Sequence, residues 1–267
     1  MKSYIRYIFY LGVIVSFIGC GSTGPDHGDP PSLPKLQNIQ AKPDFSYFQN
    51  NQPKLAGNTI SADTTNYYAA RNSVLTYTSF FSSMSFYSGF FSEANQQDAS
   101  YNDGVWEWKY SYSYESQSVE IRLTAKQVSD GYQWTMYWSS NTSSGMNFND
   151  YKVLQGTISK DGSQGSWTFY SLSESNEPIP ALKSTWTVTS DTQKTMTMKI
   201  YDGSGNLSFT MNFKQDGADN TLASQSSGSG GGSFTIYWNT DTQTGYVIQQ
   251  DSPKQCWNSS FVNTPCS

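Results

Sequence analysis

His27 and the cysteines Cys20, Cys256 and Cys266 are the residues of this chain with the widest reactive repertoire, so they bound what it can do chemically. Catalysis at neutral pH usually recruits histidine as acid, base or metal ligand. The single histidine sits in a stretch of Gly, Pro, Ser, Asn and Gln, away from any patterned element. A Ser-His-Asp or Cys-His arrangement is therefore excluded from the folded part, as are histidine-bearing and four-thiolate zinc sites. A carboxylate pair could still cut a glycosidic bond. Yet Glu107, Glu115, Glu120, Glu174 and Glu177 fall on polar strand faces or in loops, where solvated surface charge is the expected role. Asp202, Ser204 and Asn206 have the spacing that opens a calcium loop, but Leu207 replaces the glycine needed at the sixth position and Phe213 the glutamate at the twelfth. That segment reads as a hairpin turn. No glycine-rich phosphate loop follows a strand and opens a helix. The expectation is a protein that is not an enzyme, with no catalytic residues, no metal and no cofactor.

The first 20 residues give an address. Lys2 and Arg6 make a basic start, and Tyr7 to Ile18 is an uncharged apolar run of about a dozen residues, short for a membrane span, which needs roughly 20. It ends in Phe17-Ile18-Gly19-Cys20, and in this the chain resembles bacterial lipoprotein precursors, with Phe17 where that family usually has leucine. The resemblance implies cleavage after Gly19, a signal peptide over 1–19, and lipidation of Cys20 with diacylglycerol and an amide-linked fatty acid such as palmitate. The membrane would then be reached through the lipid anchor. Gly21 in place of aspartate favours the outer membrane by the sorting rule of enteric bacteria. Residues 20–53 carry Pro25, Pro30, Pro31, Pro34, Pro43 and Pro53 and read as a flexible tether. With Cys20 lipidated in an oxidising envelope, Cys256 and Cys266 remain and are expected to form a disulfide closing a short C-terminal loop. Without its signal the chain carries 14 basic and 21 acidic residues, a formal net charge of −7, which argues against nucleic acid and anionic lipid surfaces.

The remaining residues, 54–267, must supply whatever framework any site needs. From Trp106 to Tyr114 tryptophan and tyrosine alternate with Glu, Lys and Ser, the period of two of a half-buried strand. Similar alternation recurs as far as Tyr246 and Ile248, punctuated by Asp130-Gly131, Asp161-Gly162 and Asp202-Gly203. About ten strands are expected, in a mostly β antiparallel meander that forms a closed or partly open barrel. Thr64 to Ala94 reads as one helix, with Tyr77, Phe80, Phe81, Met84, Tyr87 and Phe91 on one side, capped by Asp63 or Thr64. It would cover the concave side of the sheet, making one helix-plus-β-barrel domain similar only in outline to the periplasmic lipoproteins that carry lipids.

With 8 Trp and 19 Tyr the aromatics are the main functional clue. They could simply fill the interior. Alternatively the interior holds an apolar small molecule or lipid, with Trp106, Trp108, Trp134, Trp167, Phe81 and Met84 as the candidate ligand-binding residues. Tyr137, Tyr170, Tyr201 and Tyr237 fall out of phase with their strands and would face outward, as suits a surface module for carbohydrate or protein, or a structural subunit of an envelope complex. The reading adopted is a non-enzymatic binding lipoprotein of the cell envelope.

Overall fold

The computed structural model describes residues 28–34, 43–53, 63–84, 86–95, 97–114, 117–140, 147–172, 177–228 and 231–266, with the backbone alone at 79–84, 86, 88, 114 and 117. The expected signal peptide, Cys20, His27, Glu115 and Glu174 lie outside the described residues, as do the side chains of Phe81 and Met84.

Three helices come first: α1 (Ser46–Asn50), α2 (Thr65–Met84) and α3 (Phe86–Ala94). The strands follow as β1 (Ser100–Asn102), β2 (Val105–Tyr114), β3 (Gln117–Val128), β4 (Gly131–Ser140), β5 (Phe148–Ser159), β6 (Gln164–Ser171) and β7 (Ile179–Ser190). Then come β8 (Gln193–Tyr201), β9 (Leu207–Asp216), β10 (Asp219–Ser226), β11 (Ser233–Asn239), β12 (Gly245–Gln249), β13 (Gln255–Trp257) and β14 (Asn263–Thr264). Each strand pairs antiparallel with its neighbour in sequence, giving one 14-stranded meander in strict chain order. Ten of these are the expected strands. The additional four are β1, β10, β13 and β14. The first and last strands do not pair with each other, so the sheet is open and the expectation of a closed barrel is corrected. Among the described residues no helix is long and apolar enough to cross a membrane.

Pairing of residues directly across the strands lines up the inward side chains in rows. One row runs Trp106, Ala125, Trp134, Gly156, Trp167, Ser184, Met198, Met211, Ser224, Phe234, Gln249 from β2 to β12. Over its first half, large and small residues alternate, and that is how so many indoles fit on one face. A Cβ on Gly156 would stand 2.2 Å from the Trp167 ring, and one on Gly245 would stand 2.2 Å from the ring of Trp257 opposite. Each glycine is a seat for a cross-strand tryptophan.

The helices cover this concave face. Tyr67, Ala70 and Val74 of α2, at three- and four-residue spacing, are fully buried. Phe90, Phe91 and Ala94 of α3 are likewise buried, with Phe91 against Trp134 and Trp167 and Phe90 against Trp138. The expected helix is described as two segments on either side of residue 85, and a further element precedes them. Residues 45–50, assigned to the tether, carry Phe45, Tyr47 and Phe48 into the core, where Phe48 is 0% exposed and meets the Trp238 ring at 5.0 Å. Three aromatic side chains outweigh the disordering effect of flanking prolines, since each buried one contributes roughly 1.5–3 kcal/mol. The folded domain therefore reaches back at least to Pro43, which is buried.

The chain end is fastened to the start of α2. Cys256 and Cys266 form the expected disulfide. Asn263, on β14 within the closed loop, accepts from the Asn66 amide at 3.0 Å and donates to Thr65 Oγ1 at 2.9 Å, while Asp63 accepts from the Thr65 amide and hydroxyl. Those hydrogen bonds from Thr65 hold the Asp63 carboxyl below its usual range. Free amides at a helix N-terminus are thus satisfied from both sides.

Candidate ligand-binding cleft

Following the rows of β9 to β12 along the strands shows where the interior is full and where it is not. At the α1 end, Trp238 and Trp257 are sealed by Phe48, Tyr47 and Tyr67. Tyr47 donates to the Gln243 carbonyl at 3.0 Å and accepts from Trp257 Nε1 at 3.2 Å, and burial pushes its phenol up to about 12. The next row, Phe213, Leu222, Ile236 and Val247, is also fully buried. One row further lie Met211, Ser224, Phe234 and Gln249, and beyond them Phe209 opposite Ser226. Here the fully buried rows of described side chains end.

What stands there is a cleft of about 510 Å³ between α2 and the ends of β9 to β12. Its aromatic wall is Tyr77, the next inward position of α2 after Val74, with Phe209 stacked 5.7 Å from it at 16° and Phe234 5.6 Å away at 44°. Its polar wall is Ser224, Ser226, Ser233, Gln249 and Gln250, with Gly231 and Gly232 at the mouth. Ser224 is 3% exposed, and its hydroxyl has no hydrogen-bond partner at full geometry among the described residues. The Tyr77 phenol beside it is raised by burial, an effect that the Ser224 hydroxyl partly offsets. Ser226 donates to the Ser208 carbonyl, and Gln250 Oε1 accepts from the Ser233 amide at 3.2 Å. Among the described residues no charged side chain lines the cleft. Among the described residues there is no cluster of His, Cys, Asp or Glu suited to a metal ion.

The candidate tryptophans are brought together, but elsewhere. Trp108 stacks on Trp134 at 5.7 Å, Phe91 of α3 lies on Trp134 and Trp167, and all three indoles are at most 3% exposed. Trp106 is half-buried beside Tyr101. Their side of the concave face is already occupied by protein. The cleft lies along the row that Trp106, Trp134 and Trp167 begin, at the opposite end of the sheet.

Outside, Tyr137, Tyr170 and Tyr237 stand on the convex face as expected, and they and Tyr201 are all half-buried. The ring faces of Tyr137, Tyr170 and Tyr237 are largely taken. Arg122 lies 3.9 Å over Tyr137 while bridging Asp150 and Glu107, Lys152 lies 4.6 Å over Tyr170, and Tyr237 stacks on Tyr246 under Lys254. Such exposed pairs contribute little stability, but they cover the rings that a surface ligand would use. Asp202 is spent on its own turn, accepting from the Ser204 and Asn206 amides, which lowers its pKa.

No protein-family model matches this chain, and no curated protein or solved structure matches it. The case for function is carried by the geometry of the cleft.

Sequence periodicity alone identifies Tyr77, Phe209 and Phe234 as inward residues. Ser224 and Gln249 carry no apolar signal, and the alternation Tyr246, Ile248 points to the wrong face of β12. The structure turns Tyr246 and Ile248 outward and sends Gly245, Val247 and Gln249 inward. The register with Phe234 and Trp238 decides it.

Proposed function

We propose that this chain is a lipid-anchored, non-enzymatic binding protein of the bacterial cell envelope, anchored through Cys20, whose ligand sits in the cleft between α2 and β9 to β12. The observation that carries the binding half of this reading is the place where the described side chains stop filling the concave face. Elsewhere aromatic side chains of the three helices occupy it, and here a concave space of ligand size keeps three aromatic rings and a buried hydroxyl on its walls. The described lining, aromatic and neutral polar, suits an uncharged ligand with an apolar face. The anchoring half rests on the resemblance of Phe17-Ile18-Gly19-Cys20 to a lipobox.

Native mass spectrometry of the full chain, extracted in mild detergent from its own host, tests the binding half. A stoichiometric small molecule lost in Phe234→Ala supports it, and a bare mass for both proteins overturns it. Labelled palmitate tests the anchor: label retained by Cys20→Ser refutes it.

A further inference from the structure

We infer that the ligand of this cleft is a neutral saccharide, held with the C–H face of a sugar ring against Phe234 and Tyr77 and its hydroxyls on Ser224 and Gln249. The inference rests on the binding function proposed above and names the chemical class of its ligand.

The walls argue for this class by what they offer and what they lack. An ionised ligand would leave water without an opposite charge to meet it, because among the described residues the cleft is lined by no Asp, Glu, Lys, Arg or His. A fatty acyl chain would suit the aromatic rings but would strip water from Gln249 and Gln250 with nothing in return. A sugar ring has one face of C–H bonds and a rim of neutral hydroxyls that both donate and accept. The cleft has the same division. Phe234 stands in the centre of the row, with Ser224 directly across from it on β10 and Gln249 directly across on β12. An aromatic platform is thus flanked on both sides, at the spacing of neighbouring strands, by neutral hydrogen-bonding groups.

Those groups are also unspent. Gln249 is exposed, and no hydrogen bond engages its side-chain amide among the described residues. Gln250 uses Oε1 on the Ser233 amide, which fixes its orientation and leaves the amide nitrogen to donate. Gly231 sits so close to Ser226 that a Cβ there would lie 2.0 Å from its hydroxyl, which keeps the mouth narrow in side chains and open to a ring.

The test is saturation-transfer NMR and calorimetry on the full chain in detergent, with maltotriose, cellotriose, chitotriose and lactose as neutral probes. Digalacturonate is the acidic probe and N-phenyl-1-naphthylamine the apolar one. At least one neutral saccharide is expected to bind, with no binding of digalacturonate. Phe234→Ala is expected to weaken that saccharide about tenfold, the loss of one stacking contact of about 1.4 kcal/mol. Gln249→Ala, at an exposed rim position that leaves the fold intact, is expected to weaken it about fivefold. If the naphthylamine binds, is lost in Phe234→Ala, and no neutral saccharide binds, the saccharide class is overturned while the binding function stands. If no probe binds and the host-extracted protein is bare, both fall. Saccharide binding unchanged in both variants puts the site elsewhere and also overturns the inference.

Discussion

Replacing both bridge cysteines, Cys256→Ala with Cys266→Ala, removes a constraint that acts on the chain end and on the first turn of α2 together. The two cysteines are ten positions apart, and closing so short a loop in the unfolded chain is worth about 3 kcal/mol by the chain-entropy estimate. The loop also carries Asn263, which caps the Asn66 amide and Thr65 Oγ1, and Phe261, whose ring lies 4.5 Å from that of Tyr67. Losing a capping side chain costs about 0.5–2 kcal/mol. For a domain of this size each kcal/mol moves the melting temperature by about 2–4 °C, so the double variant should melt about 6–12 °C lower under non-reducing conditions. Asn263→Ala alone should cost a few degrees. If the bridge also holds the cap in place, Asn263→Ala should cost less in the bridgeless protein than in the wild type, and the cycle of three variants reads that coupling directly. Thermal unfolding followed by circular dichroism is sufficient. Free thiols in the oxidised wild type, or a fall below about 2 °C, would refute the account of the bridge.

Gly156→Val should destabilise by about 2 kcal/mol or more, because its Cβ would meet the Ser166 carbonyl and the Trp167 ring, both at 2.2 Å, and backbone cannot yield as a side-chain tip can. Gly203→Val, with nothing within 4 Å of its Cβ, is the control and should leave the melting temperature nearly unchanged; equal effects would show that the tryptophan seat has no energetic role. Alkali gives another check. Burial raises the phenols of Tyr47 and Tyr87 from 10.0 to about 12, so the folded state resists ionisation that the unfolded chain accepts. The stability from each phenol is complete below pH 10 and is lost as pH rises to about 12, with a slope of about 1.4 kcal/mol per pH unit per phenol within that window. Ultraviolet titration should find these phenols protonated at pH 11 in the folded protein, and ionisation of every tyrosine near pH 10 with the fold intact would contradict it.

Much of the sheet was legible because burial of one face writes a period of two into the sequence. The four strands that escaped show the limits of that signal. β1, β13 and β14 have two or three residues each, too few for a period to exist. β10 is long enough, but its inward residues are Asn220, Leu222 and Ser224, two of them polar, so alternation in hydrophobicity vanishes although alternation in burial is complete. Turn chemistry offered a second signal. Asp103 and Gly104 have φ of 51° and 83°, both positive as the favoured two-residue hairpin turn demands, and Asp-Gly is its usual sequence. Between β9 and β10 the two-residue turn is Gly217-Ala218, with Asp216 paired to Asp219 and the glycine leading at φ 62°. Placing a strand on each side of both pairs would have recovered β1 and β10 from sequence.

The candidate site was hidden for the same reason that it is a candidate. A core position announces itself by being apolar, and a ligand-facing position in a neutral cleft does not, because its hydrogen-bonding groups have to be left over after folding. Ser224 and Gln249 look like loop residues in the sequence, and only the pairing of β10 and β12 with β11 sets them on either side of Phe234. The tryptophans at the start of the same row drew attention because they are large, yet large residues on a concave face are what fills it, and Phe91 lies against Trp134 and Trp167. In a sheet curled around its own helices, the informative positions are those where an inward row continues past the fully buried rows and turns polar. Here that change falls between Leu222 and Ser224, two residues apart on one strand.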